Sequence, residues 1–293
     1  MSTYLRVAAL GDSTTVGIGD PVPGGWRGWS RLLVDALAPA YDVSYCNTAV
    51  SGCTTSQMRE HQLADAVAHR PDVATMLVGV NDTLRATWDA ERTRRDLLAC
   101  AEALTDVGAL LVTVRYHDHP SLVGLPELVR RPLSARLAAV NAAYDEVHER
   151  FGGVRLDLDR CPEILDRGCW SVDRLHPSER GHRALARAYA TLLADRGFRV
   201  REPSLEPAGG LARSWRRDAA WVMVEGGPWV GRRARDLGPL AARALWSTAV
   251  RSAGPSAGQA TGGRELGGDP LEGVQEDQAP ALVVEEERGM PAR

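Results

Sequence analysis

The chain contains no lysine: all 35 of its basic residues are arginine. This excludes Schiff-base chemistry and a Walker-type phosphate loop, both of which need a lysine amine. Aromatic residues are few, at 5%, and no apolar run approaches the roughly 18 residues that a membrane-spanning helix requires. Five cysteines are present (Cys46, Cys53, Cys100, Cys161, Cys169). Their odd number and the lack of C-x-x-C spacing indicate neither a disulfide framework nor a zinc site. A bridge between Cys161 and Cys169 stands as the alternative to free buried thiols. Residues 1–7 hold no basic segment followed by an apolar stretch, and the expectation is a cytoplasmic protein that does not span a membrane.

What is present is an ordinary globular composition, 44% hydrophobic and 25% charged over 293 residues. The formal charge of −3 conceals three regions of different balance. Residues 1–198 carry 22 Arg against 25 acids, residues 199–251 carry 10 against 5, and residues 252–293 carry 3 against 8. The expected organisation is a domain over 1–198, an Arg/Trp-rich helical extension over 199–251, and a disordered acidic tail over 252–293.

Within the first region, short β-branched runs alternate with longer helical patterns. That alternation predicts βα units around a mainly parallel sheet covered on both faces. Strands are expected at 4–10, 43–47, 72–78, 109–115 and 154–158. Helices are expected near 29–38, 56–68, 90–107, 133–150 and 178–196, the last capped by Ser178. Loops fall at 49–53 and 116–131, and two short helices are plausible at 211–224 and 237–250.

The chemical signal lies where these strands end. Gly11-Asp12-Ser13-Thr14 follows the first strand, Ser51-Gly52 the second, Gly79-Val80-Asn81-Asp82 the third, and Asp173-Arg174-Leu175-His176 comes after the fifth. In an open α/β sheet, ligands bind at the carboxyl ends of the strands. A lone Gly-Asp-Ser would mean no more than a polar turn capping a helix. Four such segments at one edge supply a nucleophile, a base, an acid and hydrogen-bond donors.

With these four blocks in order, residues 4–197 resemble the SGNH (GDSL) hydrolase family. The resemblance implies an α/β fold, a three-layer α/β/α sandwich with a mainly parallel five-stranded, flavodoxin-like sheet. It also implies a serine esterase or lipase that needs no cofactor. On this resemblance Ser13 is the nucleophile, His176 the general base, and Asp173 the group that orients the imidazole. The Ser13 and Gly52 backbone N–H groups and the Asn81 side-chain amide form the oxyanion hole. A glycine at 52 suits a backbone that must approach the developing oxyanion closely. Thr14 stands where the family name expects leucine, at a position that donates no catalytic side chain. Asp12 is expected to stabilise its turn, and Asp82 to brace the Asn81 loop.

Other polar clusters have plainer readings. His117 and His119 resemble metal ligands only in spacing, and a polar lid or substrate wall is the expectation. Tyr116 and Arg115 are candidates to line the pocket, whereas Trp26, Trp29, Trp88 and Trp170 flank the motif loops as core anchors or ligand stackers. Residues 209–251, where Arg interleaves with Trp, either pack back on the body or make peripheral membrane contact. No nucleic-acid partner is expected from a pI of about 6.2. The expected partner is a small-molecule or lipid ester. Two alternatives accompany the esterase reading: acyl transfer or deacylation of a specialised metabolite by the same triad, and a lipid-binding or scaffold role for residues 199–251.

Overall fold

The computed structural model describes residues 3–123 and 125–211, with single positions at 214, 216 and 223. The chain divides into two units, Met1–Ser252 and Ala253–Arg293. The second lies outside the described residues. So, apart from those positions, do the helices expected at 211–224 and 237–250.

Five strands form the central sheet: β1 (Thr3–Gly11), β2 (Tyr41–Asn47), β3 (Val73–Leu77), β4 (Leu110–Arg115) and β5 (Val154–Asp157). All neighbours pair in parallel, in the order β2-β1-β3-β4-β5. This is the flavodoxin-like order, whose reversal beside β1 opens a crevice at the carboxyl ends of β1 and β3. Every residue of β3, the middle strand, is buried. A strand covered on both faces reads as continuous apolar sequence, which is why Val73–Leu77 lacks alternation.

Among the described residues ten α-helices accompany the sheet: α1 (Ser13–Val16), α2 (Gly28–Leu37), α3 (Thr55–His61), α4 (Leu63–Ala68), α5 (Val80–Thr83), α6 (Ala90–Asp106), α7 (His119–Val123), α8 (Glu127–Phe151), α9 (Pro162–Leu165) and α10 (Glu179–Asp195). One layer packs α2 against α10, and the other packs α6 against α8 and α3. Trp29 of α2 and Tyr189 of α10, both fully buried, meet at a ring separation of 4.8 Å. Trp29 is therefore a core anchor.

The helix starts follow local chemistry. The Ser178 hydroxyl accepts from the Gly181 N–H, the Asp89 carboxylate from Arg92, and Thr54 with Gln57 forms a reciprocal capping box. Two stretches depart from the sequence expectation. The helix expected over 56–68 is broken at Gln62 into α3 and α4. Segment 116–131, expected as a loop, holds α7 and the start of α8, which runs through Pro132. Proline removes one intrahelical hydrogen bond, and the remaining turns of this 25-residue helix carry it.

Beyond α10 the chain forms an irregular strap. Arg183 donates to the Ser204 and Ala208 carbonyls, Arg27 donates to Ala208 at 2.8 Å, and the Leu211 N–H reaches the Pro21 carbonyl at 2.8 Å. Arg27 is itself paired with the fully buried Asp20 and with Glu179.

Candidate active site

At the end of β1 the chain turns through Asp12 into α1, and Ser13 is that helix's first residue. The Asp12 carboxylate caps the turn, accepting from the Thr14 N–H at 3.0 Å. Only glycine fits at position 11, since a Cβ there would stand 2.4 Å from the Leu77 carbonyl oxygen of adjacent β3. The buried Gln62 amide grips the same residue, accepting from Gly11 N–H and donating to Gly11 C=O, both at 2.9 Å. Sequence reasoning missed Gln62 because the helical pattern ran straight across it.

His176 reaches Ser13 from the far end of the sequence. Its Nε2 lies 2.8 Å from Ser13 Oγ, and its Nδ1 lies 2.5 Å from Asp173 Oδ2. The carboxylate fixes the tautomer: Nδ1–H donates to Asp173, which leaves Nε2 as the acceptor for the serine hydroxyl. Asp173 is held in turn by its own loop, where Oδ1 accepts from Ser171 Oγ–H at 2.5 Å, Leu175 N–H at 2.9 Å and His176 N–H at 3.1 Å. Arg174 adopts a left-handed φ of 57°, the strained step that folds Asp173 back onto His176. The loop's ends are tied by Ser171 N–H to the His176 carbonyl and Ser178 N–H to the Cys169 carbonyl.

Two further segments face the same cavity. Gly52 follows β2 with φ at +77°. Among the described residues a Cβ there would meet no neighbouring atom within 4 Å, so the left-handed backbone, rather than crowding, is what calls for glycine. Asn81 lies in α5, and its Nδ2 donates to Asp12 Oδ2 at 3.2 Å, which leaves its second N–H uncommitted among the described residues. Among the described residues, neither the Ser13 nor the Gly52 N–H donates a hydrogen bond within the protein. Asp82 braces this side by accepting from Thr55 N–H at 3.1 Å and Thr55 Oγ–H at 2.6 Å. Tyr144 of α8, fully buried, accepts from the Val78 N–H at 3.1 Å and donates to the Val78 carbonyl at 3.0 Å.

The two carboxylates nearest the serine and the histidine have opposite electrostatics. Burial pushes Asp12 up to about 6, and the Thr14 N–H only partly offsets it. Burial also opposes ionisation of Asp173, yet the hydrogen bond and charge of His176, with Ser171 and Leu175, outweigh it and hold Asp173 at about 2. Asp173 is thus ionised throughout the neutral range.

Several sequence candidates sort themselves by position. Tyr116 lines the cavity, but Arg115 does not: it joins Asp145, Asp157 and Asp159 in a surface ion-pair group. Trp26 and Trp170 line the cavity, whereas Trp88 packs beneath Arg136. The His117 and His119 rings hydrogen-bond to each other at 3.0 Å against Trp170, and burial lowers their pKa values to about 3 and about 4. No group of three or more metal-ligating side chains exists among the described residues. Cys161 and Cys169 are both free, so the bridge considered between them is not formed.

Ser13, Gly52, Asn81, Asp173 and His176 all line one cavity of about 1210 Å³. The parallel sheet with this cavity at its carboxyl edge is an α/β fold of the kind SGNH hydrolases have. The GDSL-like Lipase/Acylhydrolase family profile matches residues 9–184, and the chain belongs to that family as a carboxylic ester hydrolase. An acetylxylan esterase from Geobacillus stearothermophilus is 24% identical over 169 residues, covering 54% of this chain and 75% of that protein. An arylesterase from Vibrio mimicus is 31% identical over 119 residues, 40% of this chain and 56% of that protein. The crystal structure of an acetylxylan esterase from Geobacillus stearothermophilus, 18% identical, superposes with a TM-score of 0.54 over 66% of this chain and 95% of its own. Among the described residues no helix is long and apolar enough to cross a membrane.

Proposed function

We propose that the chain is a serine esterase working through an acyl-enzyme on Ser13. The observation that carries this reading is the unbroken chain Asp173–His176–Ser13, at 2.5 and 2.8 Å, opening into a cavity. His176 Nε2 takes the Ser13 proton as Oγ attacks the ester carbonyl, and Asp173 stabilises the imidazolium that results. The Ser13 and Gly52 N–H groups and the free N–H of Asn81 receive the developing oxyanion. They need no reorganisation, because nothing else in the described protein uses them. His176 then protonates the departing alkoxide. Water, deprotonated by the same nitrogen, attacks the acyl-enzyme and releases the acid. The same groups would serve acyl transfer if an alcohol or amine replaced that water.

The free thiols favour a reducing, cytoplasmic setting for this chemistry. The separate membrane-contact reading rests on residues 209–251, which beyond Leu211 lie almost wholly outside the described residues.

The test is hydrolysis of an aryl ester by wild type and Ser13→Ala, together with labelling by an organophosphonate. The expected result is a loss of about 10⁶-fold in kcat, with the label on Ser13 and no other residue. Equal activity, or a label elsewhere, overturns the assignment.

A further inference from the structure

The polar side chains that line the cavity beside Ser13 differ in how far the protein itself uses them. Tyr116 OH donates to the Val78 carbonyl, and the Gln62 amide is spent on Gly11. His117 and His119 hydrogen-bond to each other. Each keeps a second ring nitrogen buried without a partner among the described residues, but their lowered pKa values leave both rings uncharged at neutral pH. Ser51, Gln57, His61 and Arg85 form a different arc of the same lining. Ser51 adjoins Gly52, and Arg85 lies four residues beyond Asn81, so this arc stands beside the proposed oxyanion donors.

Among the described residues Arg85 is the only arginine that lines the cavity. Elsewhere arginines hold carboxylates: Arg27 pairs with Asp20 and Glu179, Arg59 with Asp96, and Arg183 with Glu179. Arg85 forms no such pair among the described residues. Its Nη2 makes a long bond of 3.4 Å to the Gly52 carbonyl, and its Nε–H is buried without a partner. The acids that share its other side are committed elsewhere: Asp82 accepts from Thr55, Asp89 from the Arg92 N–H, and Glu60 faces Arg92. A second guanidinium, that of Arg136, donates to the Arg85 carbonyl at 3.1 Å and also holds no carboxylate among the described residues. Beside Arg85, the Gln57 amide oxygen accepts from the Thr54 N–H at 3.1 Å, which leaves its NH2 group as a donor, and Ser51 is exposed. The arc is thus a cation flanked by neutral donors. A guanidinium presents its N–H groups in the planar fork that a carboxylate matches, and one unpaired cation balances a single negative charge.

We propose that the substrate is an ester that also carries a free carboxylate, which meets the Arg85 guanidinium with Gln57 and Ser51 as neutral donors beside it. The proposal rests on the serine-esterase reading and adds no chemical step to it: ester and water give carboxylic acid and alcohol, and the free carboxylate is unchanged. Because Arg85 touches Gly52, whose N–H is a proposed oxyanion donor, the anion binds a few bonds from the reacting carbonyl. The carboxylate belongs to either half of the ester, as the second acid of a dicarboxylic monoester or as the acid of an acylated hydroxy acid.

The experiment uses the full chain and two pairs of substrates that differ only in a carboxylate against its neutral amide. The acyl pair is the mono-p-nitrophenyl ester of glutarate and the same ester of its monoamide, each corrected for uncatalysed hydrolysis. The alcohol pair is 4-acetoxybenzoate and 4-acetoxybenzamide. In one pair the carboxylate should be favoured in kcat/KM by about 10–100-fold, chiefly through KM, the range expected for a hydrogen bond to a charged group. The pair that shows it identifies which half bears the anion. Arg85→Met should bring that ratio to about one, and Arg85→Lys should restore part of it. Ser51→Asp, at an exposed position, sets a negative charge on the same arc and should cut the ratio at least about tenfold, a readout that remains if the Arg85 variants do not fold. Ratios of one or below in both pairs overturn the proposal, as does a carboxylate preference that neither Arg85→Met nor Ser51→Asp reduces. A fall in both members of a pair by the same factor in Arg85→Met also overturns it, since Arg85 would then only steady the Gly52 loop. Ser13→Ala separates the two ideas: if it abolishes turnover of all four substrates while the wild-type ratios are one, the esterase reading stands and the carboxylate proposal falls.

Discussion

The two halves of the proposed catalytic centre are held in different ways. The histidine half is local: Asp173 and His176 are three residues apart, and one carboxylate oxygen gathers Ser171, Leu175 and His176. The serine half is assembled from long range, with Gln62 gripping Gly11, Thr55 meeting Asp82, and Tyr144 holding Val78 across 66 residues. The local half stores its strain at Arg174, whereas the long-range half stores its cost in buried polar groups that must stay paired. The difference teaches where damage should appear. A change in the local half should strike catalysis while sparing the fold, and a change among the distant pins should strike the fold first.

After removal of the Ser13 hydroxyl itself, the largest effect should come from the local half. In Asp173→Asn the Nδ1 partner turns from an acceptor-only carboxylate into an amide that can hold the wrong tautomer, and kcat should fall by about 10⁴-fold. The thermal midpoint should shift little, and circular dichroism melts alongside steady-state kinetics check both numbers. A melt displaced as far as that of a core variant would break the contrast. Next comes Asn81→Ala, which removes one proposed oxyanion donor and should lower kcat by about 10²–10³-fold with KM nearly unchanged. An increase in KM alone would place Asn81 in substrate binding and remove it from the oxyanion hole.

The same contrast explains how much was legible in the sequence. The five parallel strands and most helices followed from periodicity and capping, because apolar runs such as Val73–Leu77 and caps such as Ser178 act over a few residues. The roles proposed for Asp173 and His176 came from the resemblance of the four blocks to the SGNH family, because an Asp-x-x-His pair alone is common by chance. Ser13, Gly52 and Asn81 were proposed from the same resemblance, and their position after strands agrees with it, since a parallel sheet brings every strand's carboxyl end to one edge. Gln62 and Tyr144 were not found, because their partners lie 51 and 66 residues away, and no local pattern distinguishes a gripping glutamine from a helical one. Arg115 was misplaced for a related reason. Its direction depends on Asp145 and Asp157, which only the folded sheet brings beside it.

Tyr144→Phe gives the smallest catalytic effect and the sharpest test of the distant pins. The substitution keeps the ring that meets Tyr116 edge-on and removes only the hydroxyl. The Val78 N–H, which the hydroxyl had accepted, is then left buried without a partner, and such a group costs about 1–3 kcal/mol. Chemical denaturation should report that loss as a lower midpoint with an unchanged slope. Asn81 itself should hardly move, because Asp12 accepts from its amide and Asp82 anchors its neighbour to Thr55. The kcat should therefore fall by less than tenfold, well short of Asn81→Ala. If Tyr144→Phe costs as much activity as Asn81→Ala while the stability loss stays small, the hydroxyl positions the oxyanion donor directly, and the serine half is as sensitive to one bond as the histidine half.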